Sequence, residues 1–197
     1  MLLHTCVLLN GPPGCGKDTL ANLIVPYGFD KHEFKEQLYN DTAKHFSVEL
    51  NLFKRIATDR HLKEEPSALL ELDGKSYSPR QALIYVSENL IKKQYGEEYF
   101  GAAALERCKT NRSAFAVFSD SGFPAEREPL RKAYLNTITI RLHRFGFSFV
   151  NDSRSYLTNH PNTYDLHLHD NKPWCAVATI MDLLQPFIGE IDVCRSN

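Results

Sequence analysis

The stretch GPPGCGKDT, residues 11–19, decides the fold. Gly11, Gly16 and Lys17 complete the spacing G-x-x-x-x-G-K, with Pro12, Pro13, Gly14 and Cys15 between them. Glycines at 11, 14 and 16 let backbone N–H groups turn inward onto an anion. Lys17 supplies a point charge within reach of terminal phosphates. The flanks agree. LHTCVLLN at 3–10 is an unbroken apolar run, as a buried parallel strand would be. KDTLANLIV at 17–25 reads as a helix with Leu20, Leu23 and Ile24 on one face, closed by Pro26 and Gly28. Strand, glycine loop and helix together form the context a phosphate-binding loop requires, and the helix start adds its positive dipole end. One position departs from the common pattern: Asp18 follows the lysine, and the hydroxyl comes one step later at Thr19.

Working outward, residues 34–50 are expected to be helical, with Phe34, Leu38, Ala43 and Phe46 at helical spacing. Residues 51–76 are polar and charged. Ser78-Pro79 is a helix-start signal for a helix running to about Gln94. AFAVF at 114–118, TITIRL at 137–142 and 165–169 are strand candidates, and 174–187 a closing helix. Strands alternating with helices predict an α/β fold, a parallel sheet flanked by helices on both faces.

Bulk properties bound the function. The chain has 197 residues, suited to one domain spanning 1–197. Lys plus Arg is 23 and Asp plus Glu 24, a balance that argues against a strongly basic nucleic-acid binder. The five cysteines, Cys6, Cys15, Cys108, Cys175 and Cys194, form no C-x-x-C pair, which fits a reducing cytoplasm better than a disulfide or zinc scaffold. The apolar run Leu2–Leu9 is too short to span a membrane or act as a signal peptide. A cytoplasmic protein with no membrane role is expected.

GPPGCGKDTLA resembles the adenylate-kinase form of the phosphate loop, in which a residue intervenes between lysine and threonine. Its G-K-D-T form resembles the phage deoxynucleoside monophosphate kinases. The resemblance implies a P-loop NTPase fold of the nucleoside-monophosphate-kinase type, with acceptor-binding helices over about 35–112 and a short lid over about 143–160. It implies ATP and Mg²⁺ as cofactors, residues 11–19 as the ATP cradle, and Thr19 with Asp120 near the metal. Asp18 becomes a first-turn acid favoured by the helix dipole. A phage origin would place the chain in the host cytoplasm.

The resemblance continues downstream. DRHLKEEP at 59–66 and SPRQALIYVSENLIKKQYGEEYF at 78–100 match acceptor-side segments of those kinases. They imply substrate contacts from Arg60, Lys63, Arg80 and Gln81, with Arg80 gripping a phosphate and Gln81 reading a base edge. FSDSGFPAERE at 118–128 resembles the family's strand-end D-x-R-F-P-x-E segment, with Glu126 as the family acid. Gly122 is a departure, since the family usually carries arginine there as a clamp on the acceptor phosphate. On that basis Gly122→Arg is expected to improve use of free monophosphates. RLHRFGFSFVNDSRSYL at 141–157 is the lid segment, with Arg141, Arg144 and Arg154 implied to close on the transferring phosphoryl. DSRSY departs from the family's His-x-Ser-Glu element. YDLHLHDN at 164–171 resembles the late strand near the adenine pocket.

Three readings follow, in order. The first is a kinase transferring the γ-phosphate of ATP to a (deoxy)nucleoside monophosphate, a small-molecule acceptor, with a homodimer allowed. The second keeps the fold and moves the acceptor to 5-hydroxymethyl-deoxyuridine in DNA. A hydroxyl acceptor would want a carboxylate base, for which Asp120, Asp59 and Glu126 are candidates. The third is a slow nucleotide-hydrolysing switch.

Overall fold

A computed structural model describes residues 3–150, 152–158 and 160–188. Leu2, which opens the N-terminal apolar run, and Cys194 lie outside the described residues.

The strand β1 (Thr5–Asn10) is buried along its whole length. It pairs in parallel with β5 (Phe115–Ser121) on one side and β6 (Asn136–Arg144) on the other. The short β2 (Asp30–His32) extends the sheet beyond β5, and β7 (Thr163–Leu168) extends it beyond β6. The order is β2-β5-β1-β6-β7, all parallel. Alternation along β1 feeds two cores, because successive side chains point to opposite faces. Val7 and Leu9 join a cluster with α1 (Lys17–Ile24) and the closing helix α8 (Pro173–Ile188). Cys6 and Leu8 join a second cluster with α6 (Tyr99–Thr110) and α7 (Pro124–Ala133). The sheet is therefore covered on both faces, as an all-parallel sheet must be.

The chain leaves β1 toward β2 at one edge, and β6 lies on the opposite side of β1. Such a switch in direction opens a crevice outside the carboxyl ends of the strands. The glycine loop at 11–16 sits in that crevice.

The interval 51–76 is not structureless. The helix expected over 34–50 divides into α2 (Lys35–His45) and α3 (Leu50–Thr58). Ser47 between them has φ 54°, and the Glu49 carboxylate accepts the backbone N–H groups of Asn51 and Leu52 to start the second helix. An antiparallel pair follows, β3 (Ser67–Leu72) and β4 (Lys75–Tyr77). Next comes a continuous helical stretch: α4 (Pro79–Ile84), a π-helical segment Tyr85–Ile91 and α5 (Lys92–Tyr95). Tyr39, Phe53, Leu70 and Ala82 pack together as the core of this lobe. Short β2, α6 and α7 are further elements beyond those expected from the sequence. Among the described residues no helix is long and apolar enough to cross a membrane.

Candidate active site

Gly14 at φ 75° and Gly16 at φ 111° turn the loop through left-handed backbone that a side chain would strain. Lys17 folds back over it. Its ammonium donates to the carbonyl oxygens of Gly11 at 2.6 Å and Pro12 at 2.7 Å. Burial pushes the Lys17 ammonium below its ordinary pKa. Cys15 is fully buried in the same turn, and burial pushes its thiol up, against a reactive role.

Two clefts flank the loop. The smaller, of about 190 Å³, is lined by Cys15, Gly16 and Thr19 together with Arg144, His169, Asn171 and Pro173. The larger, of about 480 Å³, is lined by Lys17, Asp18, Ser119 and Asp120 and runs out to Lys63, Arg80, Glu126 and Arg154. Asp18 and Thr19 are thus neighbours in sequence that face different clefts. Thr19 lines the smaller cleft and Asp120 the larger.

Asp18 points at the end of β5. Its Oδ1 accepts the Ser119 hydroxyl at 2.7 Å and lies 3.2 Å from the Lys31 ammonium. Burial raises the Asp18 carboxyl, but the Ser119 hydroxyl and the nearby lysines Lys35 and Lys31 outweigh it and hold it below the usual range. Both Asp120 oxygens are engaged: Oδ1 accepts the backbone N–H of Phe34 and Oδ2 that of Lys35, each at 3.0 Å. Asp120 therefore holds the start of α2 against the end of β5. Among the described residues, no group of three or more His, Cys, Asp or Glu side chains is arranged to hold a metal by itself.

On the far wall, Arg80 pairs with Glu64 at 2.9 Å, and Lys63 lies 4.0 Å from the same carboxylate oxygen. Gln81 lines neither cleft, and its amide is engaged locally. Its side-chain oxygen accepts the Ser78 backbone N–H at 3.0 Å, and its own N–H bonds the Ser78 hydroxyl at 3.2 Å. This reciprocal cap starts α4 and consumes the amide oxygen. Arg60 and Asp59 do not line either cleft, and Asp59 instead accepts the N–H groups of His61 and Leu62.

The three lid arginines separate. Arg141 is bound to Asp165, its register partner on β7, and lines neither cleft. Arg144 donates to Asp170 from Nε at 2.9 Å and Nη2 at 2.7 Å, and its guanidinium lies 4.9 Å from the Phe147 ring on the donor side. Phe147 in turn covers Gly14, where an added β-carbon would meet the ring at 3.0 Å. Arg154 alone reaches the larger cleft. It forms a two-pronged pair with Asp152, both bonds 2.8 Å.

Asn10 explains how Arg154 gets there. This buried amide ends β1, donates to the carbonyls of Ser121 and Ser155 at 3.1 Å each, and accepts the Leu157 N–H at 2.8 Å. It ties the returning lid segment to the end of β5. Asn10, Ser119, Lys35 and Asp152 escaped the sequence reading. The one visible signal was a lone polar residue closing an apolar strand.

No protein-family model matches the chain, and no curated protein matches it in sequence. Among solved structures it is similar to an unliganded sugar kinase from Janibacter sp. HTCC2649, at 13% identity and TM-score 0.43, covering 92% of this chain and 94% of that one. It is also similar to a dephospho-CoA kinase from Campylobacter jejuni, at 12% identity and TM-score 0.48, covering 92% of this chain and 97% of that one. The fold stands on the chain's own features: an all-parallel five-stranded sheet, with the glycine loop leaving its central strand and leading directly into α1, is the P-loop arrangement.

Proposed function

We propose that the chain is an ATP-dependent phosphotransferase acting on a (deoxy)nucleoside monophosphate. The observation that carries this reading is the pair of clefts meeting at one loop. ATP would place its base in the smaller cleft beside Thr19 and Arg144, with its phosphates on the loop amides. The acceptor would occupy the larger cleft, its phosphate facing Lys17 between Arg80 and Arg154. Phosphoryl transfer asks the protein mainly for positioning and charge, and an acceptor that is already anionic needs no general base.

Mg²⁺ fits the cleft side of α1. Asp18, directly after the lysine, and the Ser119 hydroxyl of β5 that donates to it are hard oxygen groups, and Mg²⁺ characteristically takes one or two such ligands plus water and phosphate. Bound there, it would neutralise charge on the nucleotide phosphates. Lys17 would release the Gly11 and Pro12 carbonyls to reach the transferring group, and Arg154 would hold the acceptor.

The test is incubation with γ-labelled ATP and Mg²⁺, offering each dNMP and, separately, duplex DNA containing 5-hydroxymethyluracil. Label on a dNMP is expected. Label on the DNA alone would overturn the reading in favour of the hydroxyl acceptor, and hydrolysis with no labelled acceptor would favour a switch.

A further inference from the structure

One carboxyl in the larger cleft has no part in holding phosphate. Glu126 stands in the first turn of α7, is only 7% exposed, and still lines the cleft. It has no hydrogen-bond or ion-pair partner among the described residues. The cations facing it are committed elsewhere: Lys92 to Glu88 at 2.7 Å and Glu97 at 3.4 Å, and Arg154 to Asp152. Its position is enforced by backbone packing, because Gly101 of α6 lies so close that a β-carbon there would come 2.2 Å from the Glu126 carbonyl oxygen. The same cleft is also lined by Phe100, Phe123 and Leu83, with the Lys92 ammonium 4.7 Å over the Phe123 ring. Within an otherwise charged cleft, an unpaired carboxyl near aromatic and aliphatic side chains suits the polar edge of a planar heterocycle.

We propose that Glu126 reads the acceptor's base, its carboxyl hydrogen-bonding a Watson–Crick edge that presents a donor and an acceptor side by side. The proposal rests on the monophosphate-acceptor reading above.

The chemistry follows from the surroundings. A buried carboxyl with no committed cation or N–H donor is held neutral. Burial pushes Glu126 up to about 8, helped by Asp120 on β5 and Glu88 on the π-helical segment, and opposed by Lys92 on α5 and Arg154 on the lid return. The neutral acid offers an O–H donor next to a C=O acceptor. That pair complements the N3/N4 edge of cytosine, the N1/N6 edge of adenine and the N3–H/O4 edge of thymine. The ionised carboxylate offers acceptors only. Guanine alone can still satisfy it, through adjacent N1–H and N2–H donors. Base tolerance at neutral pH and guanine preference at alkaline pH are therefore two states of one side chain.

The experiment measures kcat/KM for dAMP, dCMP, dTMP and dGMP across pH 8 in the wild type, Glu126→Gln and Glu126→Leu. The glutamine amide keeps a donor beside an acceptor and cannot ionise. In the wild type, values for dAMP, dCMP and dTMP are expected to fall by about tenfold per pH unit above the carboxyl's titration, with dGMP spared. Glu126→Gln is expected to show no such fall with pH. Glu126→Leu is expected to lose roughly tenfold or more on all four. Equal behaviour of the glutamine and leucine variants, or a fall for dGMP matching the others, would overturn the assignment while leaving the kinase reading intact. A wild type that labels no dNMP would overturn both. Transfer to hydroxymethylated DNA that rises through the same pH range would instead make Glu126 a general base.

Discussion

Arg154 lies flat across Gly122: a β-carbon at residue 122 would come 2.6 Å from both Cγ and Cδ of the arginine. These are atoms at the root of the side chain, held from behind by the Asn10 contacts to Ser155 and Leu157. The space an arginine at 122 would need is already filled by an arginine from a segment thirty residues downstream.

This relationship reverses the expectation for Gly122→Arg. The substitution is expected to evict Arg154 and lower acceptor kcat/KM by roughly one to two orders of magnitude, the scale of a displaced positioning group. Gly122→Ala is expected to do the same more weakly. In an Arg154→Ala background, either change is expected to add little, because the group it displaces is gone. Additive losses in that double-mutant cycle would show that Arg154 and residue 122 act separately.

Lys17→Ala is expected to lower single-turnover transfer by orders of magnitude, since it removes the cation that would follow the transferring phosphoryl. Stability should change far less. The Lys17 ammonium is partly desolvated and bonded to two loop carbonyls, so the variant gives up hydrogen bonds worth about 1 kcal/mol each and is relieved of a buried charge. Thermal denaturation alongside the turnover assay separates the two effects.

Asp18 and Thr19 face different clefts, so their variants should fail differently. Asp18→Ala is expected to raise the Mg²⁺ concentration needed for half-maximal transfer by about tenfold, through loss of one hard-oxygen ligand. Thr19→Val is expected to raise the KM for ATP and leave the Mg²⁺ dependence alone. A Mg²⁺ shift in the threonine variant instead would return the metal to Thr19.

Those residues also mark how far the sequence could be read. The loop, β1, β5, β6 and the closing helix were legible because unbroken apolar runs and a glycine spacing are local signals. The acceptor lobe was not. LNLFKRIAT at 50–58 is amphipathic, but the lobe's core brings Tyr39, Phe53, Leu70 and Ala82 together from four separate elements, and no local pattern shows that meeting. The cleft residues were half legible. Arg80, Glu126 and Arg154 do converge on one cavity. At Gln81 a helix-start pattern and a base-reading amide look alike in sequence, and the reciprocal bond to Ser78 shows the capping role. The Arg141 pairing left no trace in the sequence either, since its partner Asp165 is set by strand register and not by spacing along the chain.

The buried carboxyl of Glu126 also makes a prediction that needs no substrate. Its folded value is about 8 against an ordinary 4.5 for an exposed glutamate. Below the ordinary value both states are protonated, and the group is neutral in its effect on folding. Between the two values the unfolded chain ionises and the native one does not, so the unfolded state binds fewer protons and stability falls as pH rises. Above about 8 both are ionised and the loss is complete. Each unit of difference is worth about 1.4 kcal/mol, so the total is on the order of a few kcal/mol. Glu126→Gln has no proton to lose and is isosteric. The variant is expected to match the wild type only below about pH 4.5 and to exceed it increasingly from there toward pH 8, by roughly 2–4 °C in Tm for each kcal/mol. Paired melting curves across that range check it. A Tm difference that stays constant with pH would mean the carboxyl is already ionised in the native protein, and would remove the neutral acid from the acceptor cleft.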